Sequence, residues 1–159
     1  MGDFAVNNLD GFIAGLQAQI DKFEQQCIES SVDVAFALQR NLFSRTPVWS
    51  GDTVRNYQWG VGSMPSGAHV QPSGSLPSSP YDFAEENREP NENSVLQEME
   101  SLYEITKLQN LFVTNNIDPQ KWDLIDAGDA PMPGRGRNPG GVSMLALQDT
   151  RTQLGGLVK

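Results

Sequence analysis

Apolar residues recur every three or four positions over a long stretch near the start of the chain. The members of this series are Phe12, Ile13, Leu16, Ile20, Phe23, Cys27 and Ile28, followed by Val34, Phe36, Ala37, Leu38 and Leu42. This spacing predicts an α-helix over Leu9–Phe43. Ser30, Ser31 and Asp33 are unfavourable inside a helix, so we expect a kink or a break there. The whole span would be about 50 Å long at ~1.5 Å per residue. We infer that part of it packs on a neighbouring subunit.

A helix stop and a tight turn follow this segment. Pro47 cannot continue a helix and biases Thr46 towards an extended backbone. Gly51 lies between a serine and an aspartate and can adopt the positive φ that tight turns require. The pattern then becomes aromatic and alternating, which predicts a strand over residues 56–61. Residues 67–71 could supply its hairpin partner.

Residues 72–93 differ in composition from the segments around them. Proline, serine and glycine dominate the first part, and glutamate, asparagine and proline dominate the second. Low hydrophobicity and repeated prolines predict a flexible or extended insertion without a core of its own. Two interpretations remain open. The insertion is either an arm that lies on an adjacent subunit, anchored by Tyr81 and Phe83, or a disordered surface loop.

The rest of the chain predicts three further helices and one strand. A second helix is expected over Ser94–Leu108 and a strand over Leu111–Thr114. A short helix should begin at Asp118 and end at Ile125, with a proline at its first turn. A loop rich in glycine, proline and arginine covers residues 127–141, and a final helix covers Val142–Leu154. This order predicts a single α+β domain over residues 1–159, with a small, mostly antiparallel sheet.

Charge and composition restrict the classes of partner. The chain has 159 residues and a formal net charge of −9, which argues against wrapping of nucleic acid on a basic surface. An acidic surface fits contact with other proteins, a channel through which DNA slides without sticking, or simply solubility. Cys27 is the only cysteine, so no intrachain disulfide is possible. No apolar run is long enough to cross a bilayer, and the first residues lack the features of a signal peptide. We therefore expect a protein that is made in the cytoplasm and stays there.

No combination of residues predicts catalysis, a metal or a cofactor. His69 is the only histidine, and nothing in the pattern brings it to Cys27. The aspartates within residues 118–129 lack the spacing of a calcium loop, so a solvated acidic helix face is expected. Arg135 and Arg137 lie among glycines, but the lysine of a phosphate-binding loop is missing. This loop is either flexible or docks on an acidic neighbour or on DNA.

Several segments, in a fixed order, resemble one family of structural proteins. Residues 44–59 read SRTPVWSGDTVRNYQW and residues 111–119 read LFVTNNIDP. They are followed by an acidic segment at 122–128, by Ala-Pro at 130–131 and by PGGVSM at 139–144. This series is similar to the tail-completion or neck proteins of tailed bacteriophages, which join the head connector to the tail. Two details depart from the family. Trp49 stands where the family has an aspartate or a small residue, and Asp-Ala-Gly replaces Glu-x-Gly.

The resemblance implies a structural virion protein without enzymatic activity or cofactor. It implies helices packed on one face of the sheet, and a ring of identical subunits with sixfold or twelvefold symmetry around the DNA channel. The partners would be portal or adaptor proteins on the head side and the tail tube or terminator on the tail side. Genomic DNA would pass through without sequence-specific binding. The protein would be assembled in the host cytoplasm and reside at the head–tail junction.

Six residues are candidates for contacts between subunits: Trp49, Arg55, Tyr81, Phe83, Arg135 and Arg137. An exposed tryptophan on a turn is a common interface anchor, although Trp49 could instead pack on the long helix. Arg55 could pair with a carboxylate across the sheet or across an interface. Related virion roles remain open, namely a tail terminator, a stopper or a tail-tube subunit. A cytoplasmic adaptor that binds a protein partner without any virion role is the alternative from another class.

Overall fold

The computed structural model describes residues 9–48, 50–74, 84–118 and 141–155. Helix α1 covers Leu9–Arg45 and a single-turn helix α2 covers Asp52–Arg55. Strand β1 (Tyr57–Val61) follows, and then a 3₁₀ turn (Glu85–Asn87) leads into helix α3 (Arg88–Met99). A second 3₁₀ turn (Glu100–Glu104) precedes strand β2 (Leu111–Asn115), and helix α4 covers Val142–Leu154. The fold is α+β, as the sequence predicts.

Helix α1 runs without a break through the serines in its middle. The hydroxyl of Ser31 donates a hydrogen bond to the carbonyl oxygen of Cys27, 2.8 Å away. Because this bond satisfies the serine within the helix itself, the residue does not interrupt the backbone ladder. Val32 and Phe36 then bury their side chains against the body of the protein. The expected break is therefore absent, since α1 continues from Leu9 to Arg45.

The sheet pairs β1 with β2 in antiparallel register, with Tyr57 opposite Asn115 and Val61 opposite Leu111. The prediction that residues 67–71 form the partner of β1 was wrong. That segment is extended but is held by side chains: the amide of Asn56 bonds the backbone N–H and C=O of Val70 at 2.7 and 2.9 Å. Strand β2 pairs instead because its apolar side chains pack on the core, whereas residues 67–69 offer no large apolar group.

The second correction concerns the insertion predicted over residues 72–93. Helix α3 begins at Arg88 rather than at Ser94, and the helix ends at Met99 before a 3₁₀ turn rather than continuing to Leu108. Pro90 lies in the first turn of α3, where its missing N–H has no role. Asn91 is fully buried and its side-chain amide bonds the backbone of Ser73 in both directions at 2.8 Å. Both ends of the predicted insertion are thus joined to each other.

The core lies between the second half of α1, the sheet, α3 and α4. Its buried members are Val32, Ala35, Phe36, Leu42, Phe43, Val48, Val54, Tyr57, Val95, Met99, Leu102, Val142 and Ala146. Helix α4 packs along α1, where Arg45 and Asp149 form an ion pair at 2.7 Å. Asn41 also donates a hydrogen bond to Thr150 at 2.9 Å. In the described part of the chain no helix combines the length and apolarity needed to cross a membrane.

Candidate subunit interface

The turn between α1 and β1 is fixed by two buried hydroxyl groups. The Oγ1 atom of Thr46 donates to the carbonyl oxygen of Leu42 at 2.7 Å, and it lies 2.8 Å from the Oη atom of Tyr57. A threonine hydroxyl has one hydrogen, and here that hydrogen is used on Leu42. Tyr57 is therefore the donor of the second bond. This pair joins the end of the helix to the start of the strand in the core.

Gly51 makes the turn possible. Its φ is 80°, a left-handed conformation that glycine adopts without steric cost. A Cβ atom at this position would overlap the side-chain amide of Asn91 on α3. The Ser-Gly-Asp turn is thus held against the first turns of α3, and no larger residue fits there.

The two longest segments of the family resemblance meet in this region. Residues 57–59 of the first segment pair with residues 113–115 of the second. Beyond the ladder, Asn115 donates from its side chain to the carbonyl oxygen of Thr53 at 2.8 Å. The backbone N–H of Asn116 donates to the carbonyl oxygen of Asn56 at 3.0 Å. Positions far apart along the chain therefore form one hydrogen-bonded unit.

Arg55 forms a two-pronged ion pair with Glu98 of α3. The guanidinium nitrogens lie 2.6 and 3.1 Å from the two carboxylate oxygens. The arginine side chain is 13% exposed and the glutamate is 56% exposed. Glu98 also lines a cleft of about 330 Å³ between β1 and α3, together with Trp59, Pro65 and Met99. The carboxylate partner of Arg55 thus lies on α3 of the same chain, and neither across the sheet nor across an interface as expected.

Arg88 falls within the insertion that the sequence pattern predicts, where that pattern indicates no role for it. Its guanidinium donates to the carbonyl oxygens of Phe43 and Thr46, at 2.6 and 3.1 Å, where α1 ends. It also pairs with Glu85 at 2.6 Å and with Glu92 at 3.2 Å. Partial burial lowers the pKa of Arg88. The carboxylates of Glu85 and Glu92 raise it by more, so the net pKa lies above its ordinary value. The Glu-x-x-Arg-x-x-x-Glu spacing is the signal that could have indicated a helix here.

The most exposed apolar surface lies on the first half of α1. Every residue of Leu9–Gln26 is exposed, and six large apolar side chains of this arm are 48–68% exposed: Leu9, Phe12, Ile13, Leu16, Ile20 and Phe23. Burial of α1 begins at Cys27 and Ile28. Nothing in the described part of the chain covers this face. Within the described residues, the core therefore covers only the second half of α1.

His69 and Cys27, the two residues considered for catalysis, are far apart in the chain and make different contacts. The Nε2 atom of His69 lies 2.6 Å from a carboxylate oxygen of Asp52, which also accepts a bond from the Asn56 amide. Cys27 is half-buried in the middle of α1. Among the described residues, no three His, Cys, Asp or Glu side chains are grouped so that they could hold a metal ion.

Five of the six interface candidates lie outside the described residues: Trp49, Tyr81, Phe83, Arg135 and Arg137. The short helix predicted over 118–125 lies outside them from residue 119 onward, and so does the arginine loop up to residue 140. These predictions stay predictions. Arg55 is the one candidate whose contacts the structure describes.

Comparison with known proteins gives no relative. No protein-family model matches the chain, and no curated protein or solved structure matches it. The family resemblance therefore rests on the residues quoted above and on where the fold places them.

Proposed function

We propose that this chain is a structural subunit of a tailed-bacteriophage particle that forms a ring at the head–tail junction and joins the connector to the tail. The observation that carries the proposal is the meeting of the two longest resembling segments, residues 44–59 and 111–119, in one hydrogen-bonded unit. Here Thr46, Tyr57 and Asn115 have structural roles that connect the helix, the turn and the sheet.

The exposed arm of α1 supports an assembling role. Exposed apolar surface of this extent on one face marks an interaction site. In a ring each subunit presents two different faces to its neighbours, and the exposed arm supplies a further contact between subunits beside them. Arg55 on α2 and Glu98 on α3 form an ion pair that joins these two helices.

The acidic charge fits a position around the DNA channel. A formal net charge of −9 repels the phosphate backbone, so DNA can pass without being retained. The same charge directs the protein towards protein partners. A terminator, a stopper or a tail-tube subunit would share these properties, and the position in the particle distinguishes them.

The proposal is tested by removing the gene product from the phage or prophage that encodes it. A stop codon early in the gene should yield DNA-filled heads and separate tails that do not join, as seen by negative-stain electron microscopy of the lysate. Adding the purified protein to such a lysate should restore joined particles. Normal infectious particles from the stop-codon mutant would overturn the proposal, and so would a defect confined to capsid filling.

A further inference from the structure

The exposed face of α1 has the spacing of a coiled-coil seam. From Leu9 the apolar positions follow in alternating steps of four and three residues. In heptad notation Ile13, Ile20 and Cys27 occupy the a positions, and Leu9, Leu16 and Phe23 occupy the d positions. This 3.5-residue period keeps an apolar seam facing a partner helix that winds with it. Ser30 at the next d position ends the seam, close to the point where α1 enters the core.

The residue types in the seam indicate the number of strands in a parallel coiled coil. Isoleucine at a combined with leucine at d favours parallel two-stranded coiled coils. Ile13 and Ile20 are the a residues of the exposed arm, and Leu9 and Leu16 are the d residues that precede them. The side-chain shapes thus favour two strands when identical helices pair in parallel.

The charges beside the seam permit self-pairing. In a parallel pair the g residue of one helix meets the following e residue of the other. These contacts would join Phe12 to Gln17 and Gln19 to Glu24, so no two like charges face each other. A partner of opposite charge would find little to bind here, because the flanks carry few ionised groups. The second copy of this chain is therefore the occupant that fits best.

The exposed apolar surface of two copies together is about as large as the smallest specific protein–protein interfaces. The six apolar side chains of the arm are 48–68% exposed. With about 150–250 Å² for a large aromatic side chain and somewhat less for Leu or Ile, one arm presents roughly 600 Å² of apolar surface. Two arms together bring about 1,200 Å², the lower bound for specific interfaces.

We propose that residues Leu9–Cys27 pair with the same residues of a second copy as a parallel two-stranded coiled coil. This inference does not rest on the phage assignment, because it concerns the isolated chain in solution. Failure of the gene-removal experiment would leave it intact, and its own failure would leave the assignment intact.

Sedimentation-velocity ultracentrifugation of the full chain tests the pairing. The wild type should sediment as a dimer of the 17.4 kDa chain and dissociate on dilution. Ile20→Glu places a charge in the seam and should raise the dissociation constant at least ~100-fold, since a buried unpaired charge is strongly disfavoured. Ala18→Glu adds the same charge on the outer face of the same turn and should leave the dimer unchanged. A monomeric wild type, or equal loss in both variants, would overturn the proposal.

Cross-linking tests the parallel register. In a Cys27→Ser background, Ile20→Cys should give a disulfide-linked dimer on treatment with diamide, because equal a positions face each other in a parallel pair. Gln25→Cys, on the outer face, should remain uncross-linked under the same conditions. If the Ile20→Cys variant is a dimer in solution but its thiols do not cross-link, the parallel arrangement is overturned. Circular dichroism of each variant should show the wild-type helix content, which separates lost pairing from lost folding.

Discussion

Replacement of Arg88 by methionine should destabilise the fold more than any other single charge removal among the described residues. Methionine keeps much of the side-chain volume but removes all the donors. The carbonyl oxygens of Phe43 and Thr46 would lose their charged donor, and both residues are buried. The carbonyl oxygen of Phe43 would keep a bond from the backbone N–H of Thr46 at 3.1 Å. The guanidinium also complements the carbonyl end of the α1 dipole.

The magnitude follows from these two bonds. A hydrogen bond from a charged donor contributes about 1.5–3 kcal/mol. Glu85 is 51% exposed and would turn to water when released, so we count only the two carbonyl contacts. Two such bonds correspond to about 3–6 kcal/mol. Because the carbonyl oxygen of Phe43 keeps its bond from Thr46, we expect the lower part of this range, a fall in the free energy of unfolding of about 3–4 kcal/mol. For a domain of this size each kcal/mol corresponds to ~2–4 °C, which predicts a decrease in Tm of about 6–15 °C.

Thermal unfolding followed by circular dichroism measures this change, with urea titration as the second method. Arg88→Lys keeps the charge but loses the two-pronged geometry, so its Tm should lie between those of the wild type and the methionine variant. Arg151→Met removes an exposed arginine from α4 and serves as the matched control, with a Tm close to wild type. If Arg88→Met also melted within ~2 °C of the wild type, the reasoning from the carbonyl contacts would be refuted.

Three further changes test other parts of the structure. Tyr57→Phe should lower the free energy of unfolding by about 1 kcal/mol. A double-mutant cycle with Thr46→Val in urea should show a coupling energy of similar size, whereas additive losses would mean that the two hydroxyls do not bond each other. Gly51→Ala should lower the free energy of unfolding by more than ~1 kcal/mol in the same assay, because it combines a positive φ with an overlap on Asn91. An unchanged urea midpoint would contradict the turn geometry. Arg55→Gln should lower the free energy of unfolding by at most about 1 kcal/mol, since its carboxylate partner is more than half exposed. A decrease in Tm as large as that of Arg88→Met would contradict this expectation.

Long periodic segments were predictable from the sequence. The alternating steps of three and four residues define α1 locally, and the same holds for α4, whose predicted and observed bounds agree. The apolar run at Leu111 also identified β2 correctly. These elements carry their signal within one continuous stretch, so no knowledge of distant contacts was required.

Pairing and element boundaries depended on distant residues and were missed. The partner of β1 is decided by how Leu111 and Val113 pack on the core, and local pattern favoured the adjacent segment instead. The start of α3 depends on Asn91, a polar residue that is buried because it bonds Ser73. An asparagine and a proline in an acidic stretch resemble a flexible loop until those contacts are known.

The candidate interface was predictable only in part. The length of α1 predicts a face that its own domain leaves uncovered, and no described residue covers the apolar side chains of Leu9–Gln26. The contact between Arg55 and Glu98 could not be derived, because the carboxylate lies on a helix whose position relative to the strand is set by the whole core.

Electron cryomicroscopy of the head–tail junction in the particle that carries this gene tests the central claim most directly. The account predicts a ring of this subunit between connector and tail, recognisable by a long helix that projects from a small α+β body. If Tyr81 and Phe83 contact a neighbouring chain in that ring, the interpretation of residues 72–93 as an arm that lies on an adjacent subunit is confirmed as well. A mature particle that lacks the protein would contradict the structural assignment and favour the cytoplasmic adaptor.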